Sequence, residues 1–200
     1  PPWPVTIMSP AQPTLDQSWR EALLLSGGDL PADDFNDSAI DDAKIVAPGW
    51  AGDFGDAQAE YRALQDDIGV VDFSRRTLIK VTGGDRHSFV HNLCTAHIKK
   101  LQPGQGTEAF VTNVQGKTLG LVHVFCREGS LILETVPSQA HVLLPHLDRY
   151  HITEDVTLAD RSQDWAELLA AGPLCEPRLV ELLQTELPKG YLDHVSSERL

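Results

Sequence analysis

Three apolar segments, 108–113, 119–126 and 131–135, are joined by turns too short for anything but antiparallel pairing. Gln115-Gly116-Lys117 reverses the chain after the first, and Arg127-Glu128-Gly129-Ser130 after the second. Parallel strands need a crossover of about a dozen residues or more, so these segments form a meander. Every other element has to pack against it or pair with its edges.

Upstream, Thr77-Leu78-Ile79-Lys80-Val81-Thr82 alternates with period two and stops at Gly83-Gly84. Asp85 stands where it can cap a helix reaching about Leu93, with Phe89, Val90 and Leu93 inward. Residues 57–69 predict a helix with Tyr61, Leu64 and Ile68 on one stripe and Gly69 as its stop, after which Val70-Val71-Asp72-Phe73-Ser74 opens a strand. Downstream, a helix over 138–150 turns Val142, Leu143 and Leu147 inward, 156–159 and 165–170 are strand candidates, and 177–187 predicts a last helix. Meanders alternating with single helices predict an α+β domain, an antiparallel mixed sheet with packed helices. The Rossmann and P-loop classes are excluded, because neither glycine signature occurs.

Five prolines in 1–14 and six aspartates in 29–42 bracket a short helix at Trp19, Leu23 and Leu24, so 1–42 reads as an extended N-terminal arm with a short helix and an acidic loop. Residues 43–175 form the main module, and 176–200 the truncated start of a following one. The chain opens on Pro1, as a trimmed product or fragment would. Against 16 Lys and Arg stand 29 Asp and Glu, a net charge of −13 that opposes direct nucleic-acid binding. No apolar run approaches the roughly 20 residues of a membrane span. Three widely spaced cysteines, Cys94, Cys126 and Cys175, read as reduced thiols of a cytoplasmic protein. His87 and His91 have ligand spacing on a helix but lack a third ligand, so no metal site is expected.

Several stretches occur in a familiar order. Glu60-Tyr61-Arg62-Ala63-Leu64 leads to Ile68-Gly69-Val70-Val71-Asp72-Phe73-Ser74; Ile79-Lys80-Val81-Thr82-Gly83, Phe89 to Leu93-Cys94-Thr95, Leu101-Gln102-Pro103-Gly104-Gln105, Thr112-Asn113 with Gly116-Lys117, Val156-Thr157-Leu158 with Asp160-Arg161-Ser162, and Ala170-Ala171-Gly172-Pro173 follow. In this order they resemble the YgfZ and glycine cleavage T-protein (GcvT) superfamily of folate-binding aminomethyltransferase-like proteins, over about residues 57–175. The resemblance implies a GcvT/YgfZ-like folate-binding fold of which this chain is the N-terminal part.

The resemblance also implies a tetrahydrofolate ligand and a cleft to which Trp50, Thr112, Asn113, Lys117, Leu121, His123 and Thr135 contribute. In T-proteins the hairpin carries an acidic pair; Gly120 and Leu121 stand there instead, and neither can transfer a proton. The catalytic residues therefore stay open, with His123 or Glu134 as replacements. Three functions follow from the resemblance: folate binding of the YgfZ class in service of iron–sulfur protein maintenance or tRNA modification, one-carbon (aminomethyl or methyl) transfer, or a non-catalytic scaffold for protein partners. Asp160-Arg161-Ser162 is expected to be a structural turn.

Overall fold

The computed structural model describes residues 5–10, as backbone, and 55–196. Along the chain run β1 (Val5–Pro10), α1 (Ala57–Asp66), β2 (Gly69–Asp72), β3 (Thr77–Thr82), α2 (Arg86–Leu93), β4 (Gly106–Thr112), β5 (Thr118–Arg127), β6 (Ser130–Thr135), α3 (Ala140–Asp148), β7 (Thr157–Asp160), β8 (Trp165–Ala171) and α4 (Cys175–Leu183). The expected meander is β4-β5-β6, and β3 and β7 extend it to a five-stranded sheet of order β4-β5-β6-β3-β7. Every pair in it is antiparallel. A second sheet, β1-β8-β2, takes its first strand from the proline-rich start of the chain, where 5–10 are extended but paired to β8. The expected helix near Trp19, the acidic loop and Trp50 lie outside the described residues.

Period-two alternation gives the large sheet two chemically different faces. Ile79, Val81, Ala109, Val111, Val122, Val124, Cys126, Leu131 and Leu133 share one, and pack against Phe89 and Val90 of α2 and Leu143 and Leu147 of α3. Each such aliphatic side chain stabilises the fold by roughly 1.5–3 kcal/mol when fully buried. The opposite face carries Leu78, Phe125 and Ile132 with Trp165 and Leu192 packed on them, and polar groups to either side. Helix α4 folds back on β8, Cys175 and Leu179 meeting Ala170.

Two local expectations change. The α1 stripe is not buried: Tyr61 and Leu64 remain exposed, because the helix stands beside edge strand β2 and only Ile68, past its end, enters a cluster. Asp85 occupies the N-cap of α2 but makes no capping bond. Its carboxylate instead accepts the Asp155 N–H at 2.9 Å, while Asp155 accepts the Gly84 N–H at 2.8 Å, so the two aspartates clamp the loop before β7 to the turn after β3. The Asp160 turn forms as expected: Asp160 accepts the Ser162 N–H at 2.9 Å, Arg161 meets Asp164 at 2.7 Å, and Ser162 Oγ accepts the Leu78 N–H at 3.0 Å.

At Gly83, φ is +104° and a Cβ would collide with the Asp155 carbonyl, whereas Gly129 has φ +74° and open space around it. Gly83→Ala should therefore destabilise by roughly 2–4 kcal/mol, but Gly129→Ala by only about 1 kcal/mol, in urea unfolding. Equal losses at the two positions would refute the Asp155 contact.

Candidate active site

Register decides which polar residues meet on the open face. His123 of β5 stands directly opposite Glu134 of β6, which is itself opposite Leu78 of β3. Glu134 is 2% exposed although it lies on the face away from the helices. His123 Nδ1 meets its Oε2 at 2.6 Å, and the Arg76 guanidinium meets its Oε1. A buried carboxylate needs partners of this kind, since an unpaired one costs several kcal/mol.

Arg76 arrives there because the β2–β3 connection is a tied turn. Asp72 Oδ1 accepts the Ser74 N–H at 2.8 Å, the Glu167 N–H donates to Ser74 Oγ at 3.0 Å, and the Arg76 N–H donates to the Phe73 carbonyl at 3.0 Å. The turn thus joins both sheets, and its arginine acts on a carboxylate from each: Glu134 by contact and Glu167 of β8 through its charge. Glu167 is 3% exposed, and its Oε2 has no hydrogen-bond partner among the described residues. Burial pushes its carboxyl up to about 7, opposed by Arg76 and reinforced by Asp72.

Burial, and then the charge of Arg76, hold the His123 pKa below the usual histidine value, against an opposing pull from Glu108. The ring is therefore neutral near pH 7. With Glu134 accepting, Nδ1 carries the hydrogen and Nε2 is left as an acceptor. The side chain keeps 26% exposure, and Phe110 and Leu121, paired across β4 and β5, form an exposed apolar step beside it.

The structure separates the residues expected to line one cleft. Leu121 and His123 share the open face. Thr112 does not follow its strand, because the register shifts between Val111 and Thr112; with Asn113 it lines a cavity of about 340 Å³ on the helical side, among Phe89, Leu93 and Tyr150. Asn113 Oδ1 is occupied by the N–H groups of Gln115 and Lys117, at 3.0 and 2.9 Å, and Lys117 is exposed at the hairpin tip. Thr135 is buried, its hydroxyl donating to the Leu121 carbonyl at 2.6 Å, so it braces the cleft strand rather than facing it. Gly120 faces α3: a Cβ there would lie 3.4 Å from Leu143. Of the two positions that replace the acidic pair, only Leu121 opens on the site.

From the sequence Glu134 stands out only as a substitute acid, and no local pattern marks Arg76 or Glu167. A carboxylate inside an otherwise apolar strand, Leu131-Ile132-Leu133-Glu134-Thr135, was the available signal for the first. On α2, His87 Nε2 lies 3.4 Å from Cys126 Sγ while His91 Nδ1 lies 3.1 Å from the Ala96 carbonyl. Burial raises the thiol pKa of both Cys94 and Cys126. Among the described residues no helix is long and apolar enough to cross a membrane.

Residues 39–199 match the family model of the GCVT N-terminal domain. A putative chloroplastic transferase of Arabidopsis thaliana is 26% identical over 188 residues, covering 92% of this chain and 40% of that protein. An aminomethyltransferase of Rubrobacter xylanophilus is 28% identical over 131 residues, 65% of this chain and 35% of that one. The crystal structure of the glycine cleavage system aminomethyltransferase T from Bartonella henselae superposes with a TM-score of 0.54 at 17% identity, over 62% of this chain and 34% of that one. The chain spans about two fifths or less of these relatives' length.

Glu167 makes stability depend on pH. The unfolded carboxyl releases its proton near 4.5 and the folded one near 7, so between these values the folded state binds the extra proton and stability falls as pH rises. Between pH 4.5 and 7.5 the wild type should lose about 2–3 kcal/mol relative to Glu167→Gln, measured as urea midpoints. Parallel curves for the two proteins would refute the assignment.

Proposed function

Because this chain belongs to the GCVT N-terminal domain family, we propose that its open sheet face binds tetrahydrofolate and that it serves one-carbon transfer. The observation that carries the reading is His123, held on a buried Glu134–Arg76 pair and presented beside an exposed apolar step. A flat, mostly apolar ligand with a few polar edges fits such a surface: Phe110 and Leu121 offer area to a ring, and His123 and Glu108 the polar contacts. Its matches include a transferase and aminomethyltransferases, which supports this reading over service to iron–sulfur proteins or tRNA modification. We place it in the cytoplasm, in keeping with three cysteines that form no disulfide.

Tetrahydrofolate, when bound, supplies the amine that takes the one-carbon unit. The chain's part is to orient that amine and move its proton. Neutral His123 accepts a proton at Nε2, and the Nδ1 bond to Glu134 stabilises the imidazolium that results. Arg76 keeps Glu134 an acceptor throughout, so the ring does not turn over. Leu121, which carries no proton, holds ring surface where T-proteins place a carboxylate.

Titration calorimetry of tetrahydrofolate should show saturable binding, weakened about tenfold by His123→Ala, a loss of about 1.4 kcal/mol. Glu134→Gln, which frees the ring, should shift the pH dependence of binding as well as its strength. No saturable heat from wild-type protein would overturn the reading and leave the face to a protein partner.

A further inference from the structure

A second cavity opens on the same sheet face, at the opposite end from His123. It encloses about 500 Å³, and Lys80, Arg127, Ser130, Trp165 and His194 are among its walls, with Glu128 on the rim. Strand β5 carries both sites: Arg127 lies four residues beyond His123, about 13 Å along an extended strand. Between them the Phe125 ring makes edge contacts with both histidines, at 6.5 Å from His123 and 5.5 Å from His194. The two sites are thus neighbours separated by an aromatic wall.

Its charge runs against that of the chain. The protein carries a net −13, yet Lys80 and Arg127 converge here, and neither pairs with a carboxylate among the described residues. Arg127 is held in place, its guanidinium 5.1 Å from the Trp165 ring and its Nη2 donating to Ser196 Oγ at 3.3 Å. Among the described residues that line the cavity, Glu128, exposed in the β5–β6 turn, is the one carboxylate, and Asp193 adds its charge from beside His194. Two half-buried cations that form no ion pair mark a place where an anion is bound more easily than water alone would allow.

The walls are built as well as charged. After α4 the chain returns across the open face, and the His194 N–H donates to the Gly104 carbonyl at 2.7 Å. Gly104 has φ +90°, and a Cβ there would lie 3.2 Å from the His194 carbonyl, while one at Gly106 would collide with Leu192. Two glycines therefore let the returning segment close down as the cavity wall. Burial keeps His194 below the usual histidine pKa, so the positive charge is that of Lys80 and Arg127.

We propose that this cavity is an oxyanion site, in which Lys80 and Arg127 hold a carboxylate or phosphate while the flat or apolar part of its carrier lies against Trp165 and Ile132. The oxyanion is either the glutamyl tail of a folate whose ring occupies the His123 end, or that of a separate small molecule. The site itself stands on its own residues, and only the first source rests on the folate reading.

The test uses pyrophosphate and 5-formyltetrahydrofolate, the latter as monoglutamate and triglutamate, in calorimetry with the whole chain. Lys80→Met and Arg127→Gln alter half-exposed positions, and circular dichroism melting checks that they fold. Each should weaken pyrophosphate binding about fivefold, and Glu128→Gln should strengthen it about twofold, a gain that loss of structure does not produce. A preference for triglutamate over monoglutamate that disappears in Lys80→Met assigns the oxyanion to the folate tail; sensitivity to pyrophosphate alone assigns it to a separate molecule. Binding of every probe unchanged by all three substitutions, or no binding of pyrophosphate and triglutamate at all, overturns the site. Pyrophosphate binding without any heat from the monoglutamate would instead count against the folate reading and leave the oxyanion site standing.

Discussion

One guanidinium, that of Arg76, holds together the parts that matter for function. It sits in the turn between β2 and β3, touches Glu134 of the five-stranded sheet and acts on Glu167 of the three-stranded one. Both carboxylates are almost fully buried, so the charged form of each depends on that cation. Removing the arginine would leave two buried acids facing one another's sheets with no cation between them. Such a cluster is a costly way to join two layers; apolar side chains of the same volume would cost less. What it provides is a fixed acceptor for His123, hence one tautomer and a known free nitrogen on the open face.

The same five strands build both the core and the site, because alternation sends successive side chains to opposite faces. On one face Val122, Val124 and Cys126 meet the helices; on the other Leu121, His123, Phe125 and Arg127 form a row from an apolar step, through the proposed base, to the cation of the second cavity. The row is interrupted by the chain's own returning segment, with Leu192 seated on Phe125 and Ile132. That overlay turns one continuous sheet face into two separate recesses with different chemistry: a polar-edged apolar step and a cationic pocket.

Much of the fold was legible in the residues. The short glycine turns required the β4-β5-β6 meander, and the alternating 77–82 segment had to be a strand. The Asp160 turn followed from the local chemistry of Asp and Ser. What misled was a residue with a local role and a better distant one: Asp85 looks like a cap, but its carboxylate goes to the Asp155 amide. Thr112 and Thr135 do not join the open face for related reasons, one turned away by a register shift and the other taken up by a neighbouring carbonyl.

The candidate site was only half visible. His123 stands out as a histidine in an apolar hairpin, but nothing near it in the chain says that Glu134, Arg76 and Glu167 share one buried cluster. By itself, the sequence determined the β4-β5-β6 meander, its antiparallel order and the two-faced sheet, because turn length and side-chain alternation act over a few residues, whereas the pairing of 5–10 with β8 came only with the fold. Only the tertiary structure decided which polar side chains are buried together and which open on a cavity. Those pairings depend on strand register and on the returning segment after α4, long-range contacts that no local pattern encodes.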